Sequence, residues 1–361
     1  MCEMRFVAMV FVLVATTTSA LANDLWPLPK WQQARPSDVG LDEEQLSRAR
    51  DYALTGGGSG YITRSGKLVM SWGDPTQRYD LKSTTKSIGV TALGLAIADG
   101  KIQLSDKVTS HHPNFATPPH SNQETGWIDG ISIKHLAMQT AGFKKPGGYT
   151  KLICEPGTKW SYSDGGPNWL AECVTRVYGR DVDALMFERV FTPLGISRKD
   201  LRWRLNAYRD HQIDGLMRRE FGSGIHANVD AMARIGYLYL RNGRWKSQQV
   251  IPHEFVAAAS RPVQSVVGLP ELESQNYGNA SDHYGLLWWN NADLALKEVP
   301  ADAYWSWGLY ESLIVVIPSL DIVAARAGKS WQRNWNGHYD VLKPFFEPLV
   351  AAVKVMPTRN R

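Results

Sequence analysis

Three cysteines in 361 residues are too few for a disulfide scaffold, and one of them, Cys2, lies at the extreme N-terminus. The longest apolar run, Phe6 to Ala15, is about half the length that a helix needs to span a bilayer. No block of five like charges occurs, and basic and acidic residues interleave around a net charge of +5. That balance argues against a nucleic-acid partner. No serine stands in Gly-x-Ser-x-Gly: Ser59 comes nearest but has Tyr61 at the last position, which excludes the nucleophile elbow of the α/β-hydrolases. His253-Glu254 has no second histidine at metal spacing, and His111-His112 run into Pro113 without a third ligand. Zinc hydrolases are thereby set aside, and neither metal nor other cofactor is expected. There is no internal repeat and no low-complexity tract.

What is present begins with a leader. Arg5, the apolar run and the small residues ending Ala20-Leu21-Ala22 read as a secretory signal peptide over residues 1–22, cleaved after Ala22. The expectation is a periplasmic or secreted protein without a stable membrane anchor. Cleavage removes Glu3 and Arg5 together, so the net charge stays +5. It also removes Cys2, leaving Cys154 and Cys173 in an oxidising compartment, where they are expected to form a disulfide.

Residues 42–54 read as a helix capped by Asp42, with Leu46, Ala49, Ala53 and Leu54 at helical spacing. A β-hairpin follows, turning at Ser65-Gly66. Residues 83–99 read as one almost wholly apolar helix closed by Gly100. From there to about residue 280 the pattern is mostly helical, with loops at 113–126 and 142–149. Tyr284–Asn290 reads as a strand, 304–327 as two strands turning at Pro318–Asp321, and 340–355 as an amphipathic helix. The fold class implied is α+β, in a single domain over 23–361. Its two ends (about 40–110 and 280–355) join in one antiparallel sheet flanked by helices, and a mainly helical subdomain is inserted over about 111–279. The cleft between the two parts is where a ligand would sit.

Three short segments carry the chemistry. Ser83-Thr84-Thr85-Lys86 places a hydroxyl at the head of a buried helix, near unpaired N–H groups, and an amine one turn on along the same face. Burial favours the neutral amine, which suits it to take a proton from the serine. The same residues also suit a plain helix cap with a lysine reaching for solvent. Tyr162-Ser163-Asp164 offers a phenol that a neighbouring lysine can turn into a general base, with a carboxylate two residues on. A buried tyrosine followed by a capping aspartate fits as well. Trp305-Ser306-Trp307-Gly308 reads as a strand whose glycine admits a close backbone approach, or as a core aromatic strand.

In this order and spacing the three segments resemble those of the class C β-lactamase and penicillin-binding-protein superfamily of serine hydrolases. Within it the chain looks most like the 6-aminohexanoate-dimer hydrolase branch. Further likeness lies in ISIKHLAMQTAGF (131–143), EPGTKWSYSDGG (155–166), FTPLGI (191–196), GSGIHANVDAMARIGYLYLRNGRW (222–245) and YGLLWW (284–289). The resemblance implies a β-lactamase/transpeptidase-like fold. It makes Ser83 the acylated nucleophile, Lys86 its activating lysine and Tyr162 the proton shuttle. Asp164 falls where the family usually has Asn. Gly308 matches the glycine of the third motif, so that the N–H groups of Leu309 and Ser83 would form the oxyanion hole. Ser306 stands where a Lys or His is usual, with Trp307 beside it, and Glu311-Ser312 where Gly-Gln is common in this branch. The implied function is acyl-enzyme hydrolysis of a small-molecule ester or amide. β-Lactamase or D-Ala-D-Ala carboxypeptidase activity, and a non-catalytic penicillin- or peptidoglycan-binding receptor, are the alternatives. With no cation at Ser306, neutral esters or linear amides are expected to outrun β-lactams.

Overall fold

The computed structural model describes residues 24–272, 277–331 and 338–354. The signal peptide assigned to residues 1–22 lies outside them. The chain enters along a short strand, β1 (Gln32–Gln33), and a helix, α1 (Glu43–Leu54), whose cap Asp42 accepts from the N–H groups of Glu44 and Gln45. Strands β2 (Ser59–Arg64) and β3 (Lys67–Trp72) form the expected hairpin. Ser65 and Gly66 both take positive φ, 51° and 74°, the two-residue turn whose twist matches that of the strands.

After β4 (Tyr79–Asp80) the apolar helix expected over 83–99 is present as α2 (Thr84–Gly89) and α3 (Thr91–Ala98), with a step at Val90. The ladder continues through the step, from the Val90 N–H to the Lys86 carbonyl. The inserted region holds α4 (Ile133–Ala137), α5 (Gly165–Tyr178) and α6 (Val182–Met186). It then holds strands the apolar pattern does not reveal: β5 (Leu201–Trp203), β6 (Gln212–Ile213), β7 (Leu216–Met217) and β8 (Ile225–Ala227). All are two or three residues long, too short for an alternation to show. Next come α7 (Val229–Leu240), β9 (Arg244–Trp245), β10 (Gln248–Gln249) and α8 (His253–Ala259).

The C-terminal part is β11 (Trp289–Asn290), β12 (Tyr304–Gly308), β13 (Ser312–Ile317), β14 (Ile322–Ala327) and α9 (Lys343–Ala351). Two expectations are corrected here. The strand read over Tyr284–Asn290 shrinks to its last two residues, because the Gly285 N–H donates to the Trp288 carbonyl and folds the segment back on itself. The stretch 304–327 contains three strands, the extra turn falling at Leu309–Glu311. Tyr310 and Glu311 adopt left-handed backbone there, φ 69° and 51°, without any glycine, asparagine or proline to announce it.

The main sheet runs β1-β3-β2-β14-β13-β12-β11, so the two ends of the chain meet where β2 pairs β14. Every neighbouring pair is antiparallel except β1 with β3 at one edge, which is parallel. Helices α1 and α9 pack together on one face, where Trp305 meets Phe346 edge-on. Helix α7 covers β14, β13 and β2 although its sequence lies inside the insert. Gly236 permits this approach: a Cβ there would meet Val323 Cγ1 at 2.6 Å. A second sheet, β4-β8-β5, joins the insert to the segment that precedes Ser83.

Candidate active site

The start of α2 is held from two sides. The Leu81 N–H donates to the Ile225 carbonyl and the Thr85 hydroxyl accepts from the Ile225 N–H (3.1 Å), so β8 docks directly onto it. From the sheet, Gly308 at the end of β12 comes so close that a Cβ would sit 2.1 Å from the Leu81 carbonyl oxygen and 3.0 Å from the Thr84 nitrogen. Only glycine allows that approach. Ser83 occupies the N-cap position of α2.

Lys86, one turn on, is 1% exposed. Its ammonium donates to Ser83 Oγ (3.1 Å), to the Gly222 carbonyl (2.9 Å) and to Asp164 Oδ1. All three of its protons are engaged. Burial pulls the Lys86 amine down, but Asp164 and Tyr162 together outweigh it and hold the group above its ordinary value. Burial would raise Asp164, yet the charges of Lys86 and then Lys145 keep its carboxyl below the usual range. The neutral amine expected from burial is therefore replaced by an ammonium–carboxylate pair. The lysine is not alone in its pocket, because Asp164 arrives just ahead of α5.

Tyr162 is buried among Trp160, Tyr277 and Trp289, with ring centroids at 6.0, 5.2 and 5.9 Å. Lys86 Nζ stands 4.9 Å from its ring centroid and Lys145 Nζ 4.3 Å. Gln139 fixes the segment: its amide donates to the Ser163 carbonyl (3.0 Å) and accepts from the Ser163 N–H (2.9 Å). The structure thus brings Ser83, Lys86, Tyr162 and Asp164 together, with Gly308 against the turn that carries the serine.

The rest of the third segment points elsewhere. Ser306 is fully buried; its Oγ accepts from the Ile314 N–H (2.9 Å) and lies 3.2 Å from the Thr84 hydroxyl. A side chain so engaged offers neither a hydroxyl nor a cation to a substrate. Trp307, on the opposite face of β12, packs on Trp289, which in turn stacks on Tyr162. Leu309 is 53% exposed at the turn. That turn is held from behind: the buried Arg326 guanidinium donates to the Tyr310 and Glu311 carbonyls, while the Glu311 carboxylate accepts from the Trp331 N–H (2.9 Å).

The disulfide is not formed. Cys154 and Cys173 are both free and buried: Cys154 lies against Gly142 in a loop, and Cys173 is enclosed within α5, where burial pushes its thiol well up. Two residues near this cluster were not singled out from the sequence. Lys145 faces the Tyr162 ring, and the half-exposed Tyr208 packs over Gly148, its hydroxyl pushed up by burial and then by the Asp164 charge. Both are single loop residues without a motif around them. A cavity of about 600 Å³ lined by Arg78, Arg202, Arg204 and His226 contains none of the cluster.

The sheet with helices on both faces and an insert closing over the head of a buried helix is the β-lactamase/transpeptidase-like fold. The chain belongs to the beta-lactamase family, whose model matches residues 48–341, and it is a beta-lactamase-family serine hydrolase. Among curated proteins it is similar to a "Putative D-alanyl-D-alanine carboxypeptidase" of Escherichia coli (strain K12), 26% identical over 159 residues. That match covers 37% of this chain and 36% of the relative, so the chain spans about a third of that relative's length. A beta-lactamase from Mycobacterium bovis superposes with a TM-score of 0.64 at 20% identity, covering 85% of this chain and 100% of that one. A "Putative 6-aminohexanoate-dimer hydrolase" from Bacillus anthracis superposes with a TM-score of 0.63 at 14% identity, covering 91% and 89%. No helix among the described residues is long and apolar enough to cross a membrane.

Proposed function

We propose that the chain hydrolyses ester or linear amide bonds through an acyl-enzyme on Ser83. The observation that carries this reading is the buried Lys86 ammonium, 3.1 Å from Ser83 Oγ and 4.9 Å from the Tyr162 ring. Moving the lysine proton onto Asp164, to free the amine as a base, costs about 9 kcal/mol from the ordinary pKa difference alone. The direction of each shift likewise keeps the proton on the lysine. Lys86 therefore acts as a fixed positive charge beside the serine oxygen.

Tyr162 is the remaining group able to move the proton. Ser83 Oγ bonds to the substrate carbonyl carbon while its proton passes to the Tyr162 oxygen. In the same movement the Tyr162 hydroxyl proton passes to the leaving oxygen or nitrogen as that bond breaks, so the phenol gives up one proton for the one it takes, and water later reverses the sequence. The N–H groups of Ser83 and Leu309 receive the carbonyl oxygen, a role supported by the contact of Gly308 with the Leu81–Thr84 turn. Residues 1–22 are an export leader in this reading, placing the enzyme in the periplasm or outside the cell.

The test is a fluorophosphonate mass adduct together with turnover of p-nitrophenyl esters. Wild-type protein should gain one adduct on Ser83, and Ser83→Ala should lose both adduct and turnover, by roughly 10³ or more in kcat/KM. An unlabelled wild-type protein would favour a binding receptor, and an active Ser83→Ala would remove the serine from the mechanism.

A further inference from the structure

We propose that Arg78, Arg202, Arg204 and His226 form a second binding site, outside the catalytic cleft, that takes the phosphate group of a small monoester. Such a site goes beyond the hydrolase reading and does not rest on it. The second sheet puts these side chains on one face. His226 on β8 stands directly opposite Asp80 on β4 and Arg202 on β5, and residues opposite each other in an antiparallel ladder share a face. Arg78 and Arg204 lie two residues from Asp80 and Arg202, and therefore on the same side. The Arg204 N–H continues the ladder to the Gly224 carbonyl (3.0 Å). The three arginines and the histidine line one cavity of about 600 Å³, which holds none of Ser83, Lys86, Tyr162 or Asp164.

The carboxylates beside them are already matched: Asp80 meets Lys82 (2.6 Å), and the buried Glu220 meets Arg204. Among the described residues no carboxylate comes within ion-pair distance of Arg78 or Arg202. Arg78 donates to the Lys199 carbonyl (2.5 Å) and Arg204 to the Ser223 hydroxyl (2.9 Å), contacts that orient the guanidinium groups without neutralising them. Two unmatched guanidiniums suit a phosphate monoester, which carries close to two negative charges at neutral pH and offers three acceptor oxygens. A carboxylate would match only one of the charges. The cavity exceeds what a bare phosphate fills and falls within the size range of small-molecule sites, so the group comes with an organic body, and an aryl ring can stack on a guanidinium plane. Residues 222–226 serve this cavity and the catalytic cleft together: Gly222 accepts from Lys86 (2.9 Å), Ile225 holds Leu81 and Thr85, and His226 lines the cavity. The backbone beneath the site is thus already fixed, and little ordering opposes binding.

The test is calorimetric titration of the full chain, at one fixed salt concentration, with phenyl phosphate, benzoate and inorganic phosphate. Wild-type protein should bind phenyl phosphate about tenfold more tightly than benzoate, the size of one further charged contact, and several-fold more tightly than inorganic phosphate. Arg78→Gln and Arg202→Gln should each weaken phenyl phosphate by about tenfold. Arg202 is exposed, so its replacement leaves the fold standing. Lys145→Gln, in the catalytic cleft, should bind phenyl phosphate as wild type does. Affinity that survives both arginine replacements, or that is lost in Lys145→Gln, places the anion elsewhere and overturns the site. Benzoate bound as tightly as phenyl phosphate overturns the phosphate, and inorganic phosphate bound as tightly overturns the ester. Binding needs no turnover, so these outcomes are decided whether or not Ser83 is labelled.

Discussion

The two walls of the cleft are held by different forces. On the sheet side position comes from shape. Gly308 touches the turn before Ser83, and Gly236 lets α7 settle on β13 and β14, both because a methyl group would not fit. On the insert side position comes from charge and hydrogen bonds. Asp164 meets Lys86, Gln139 grips Ser163, and the carboxylate of Glu172, fully buried in α5, meets His112 (2.8 Å), Arg209 (3.1 Å) and Arg218 (3.2 Å). A buried carboxylate is tolerated only with such partners. The difference teaches where a change should register: in stability on the sheet wall, and in protonation and rate on the insert wall.

The largest expected effect is on the insert wall. Tyr162→Phe should lower kcat/KM by roughly 10² to 10⁴ while the protein melts close to wild type, since the ring keeps its stack on Trp289. A comparable drop in Tm would make the tyrosine a packing residue and blur the distinction between the walls.

On the sheet wall, Gly308→Ala should cost about 1 to 3 kcal/mol in urea unfolding, because the new methyl group meets backbone atoms of Leu81 rather than a side chain that can swing away. Turnover should fall with it as the serine turn is pushed from the strand. If the variant unfolds at the wild-type midpoint, the close approach does not hold the turn, and shape is not what organises this side.

The same division explains what was readable beforehand. The hairpin at Ser65-Gly66, the Asp42 cap and the spacing of Ser83, Lys86 and Tyr162 follow from periodicity, turn chemistry and motif order. The turn at Tyr310–Glu311 did not show, since a buried arginine on β14 holds it rather than any turn residue of its own. Ser306 was legible as an uncharged residue where a cation is usual, but alternation along a strand assigns a face and not what covers that face; here Thr84 covers it. Lys86 looked neutral because its burial could be read from one segment, whereas its counter-charge arrives from another 78 residues away. Cys154 and Cys173 looked like partners by elimination, but each is free and buried, one in a loop and the other within α5.

Asp164→Asn sharpens the comparison furthest for the smallest change in rate, because it alters charge and leaves shape alone. With Asp164 present Lys86 is held above its ordinary value; without it burial becomes the leading influence and the amine moves down. The alkaline limb of kcat/KM, where the ammonium is lost, should therefore move to lower pH by about one unit or more, with the maximum reduced by about tenfold. Stability carries an independent sign. The depressed Asp164 carboxyl contributes stability that is present above its unfolded value of about 4 and is lost as the pH falls through the folded value. Raised Lys86 contributes below its unfolded value of about 10.5 and ceases to do so above the folded one. Between about pH 5 and pH 9 the Tm gap between wild type and Asp164→Asn should thus be constant, and it should close on acidification below about pH 4. A gap that widens towards acid, or an alkaline limb that stays in place, would mean that the carboxylate does not set the charge of the lysine.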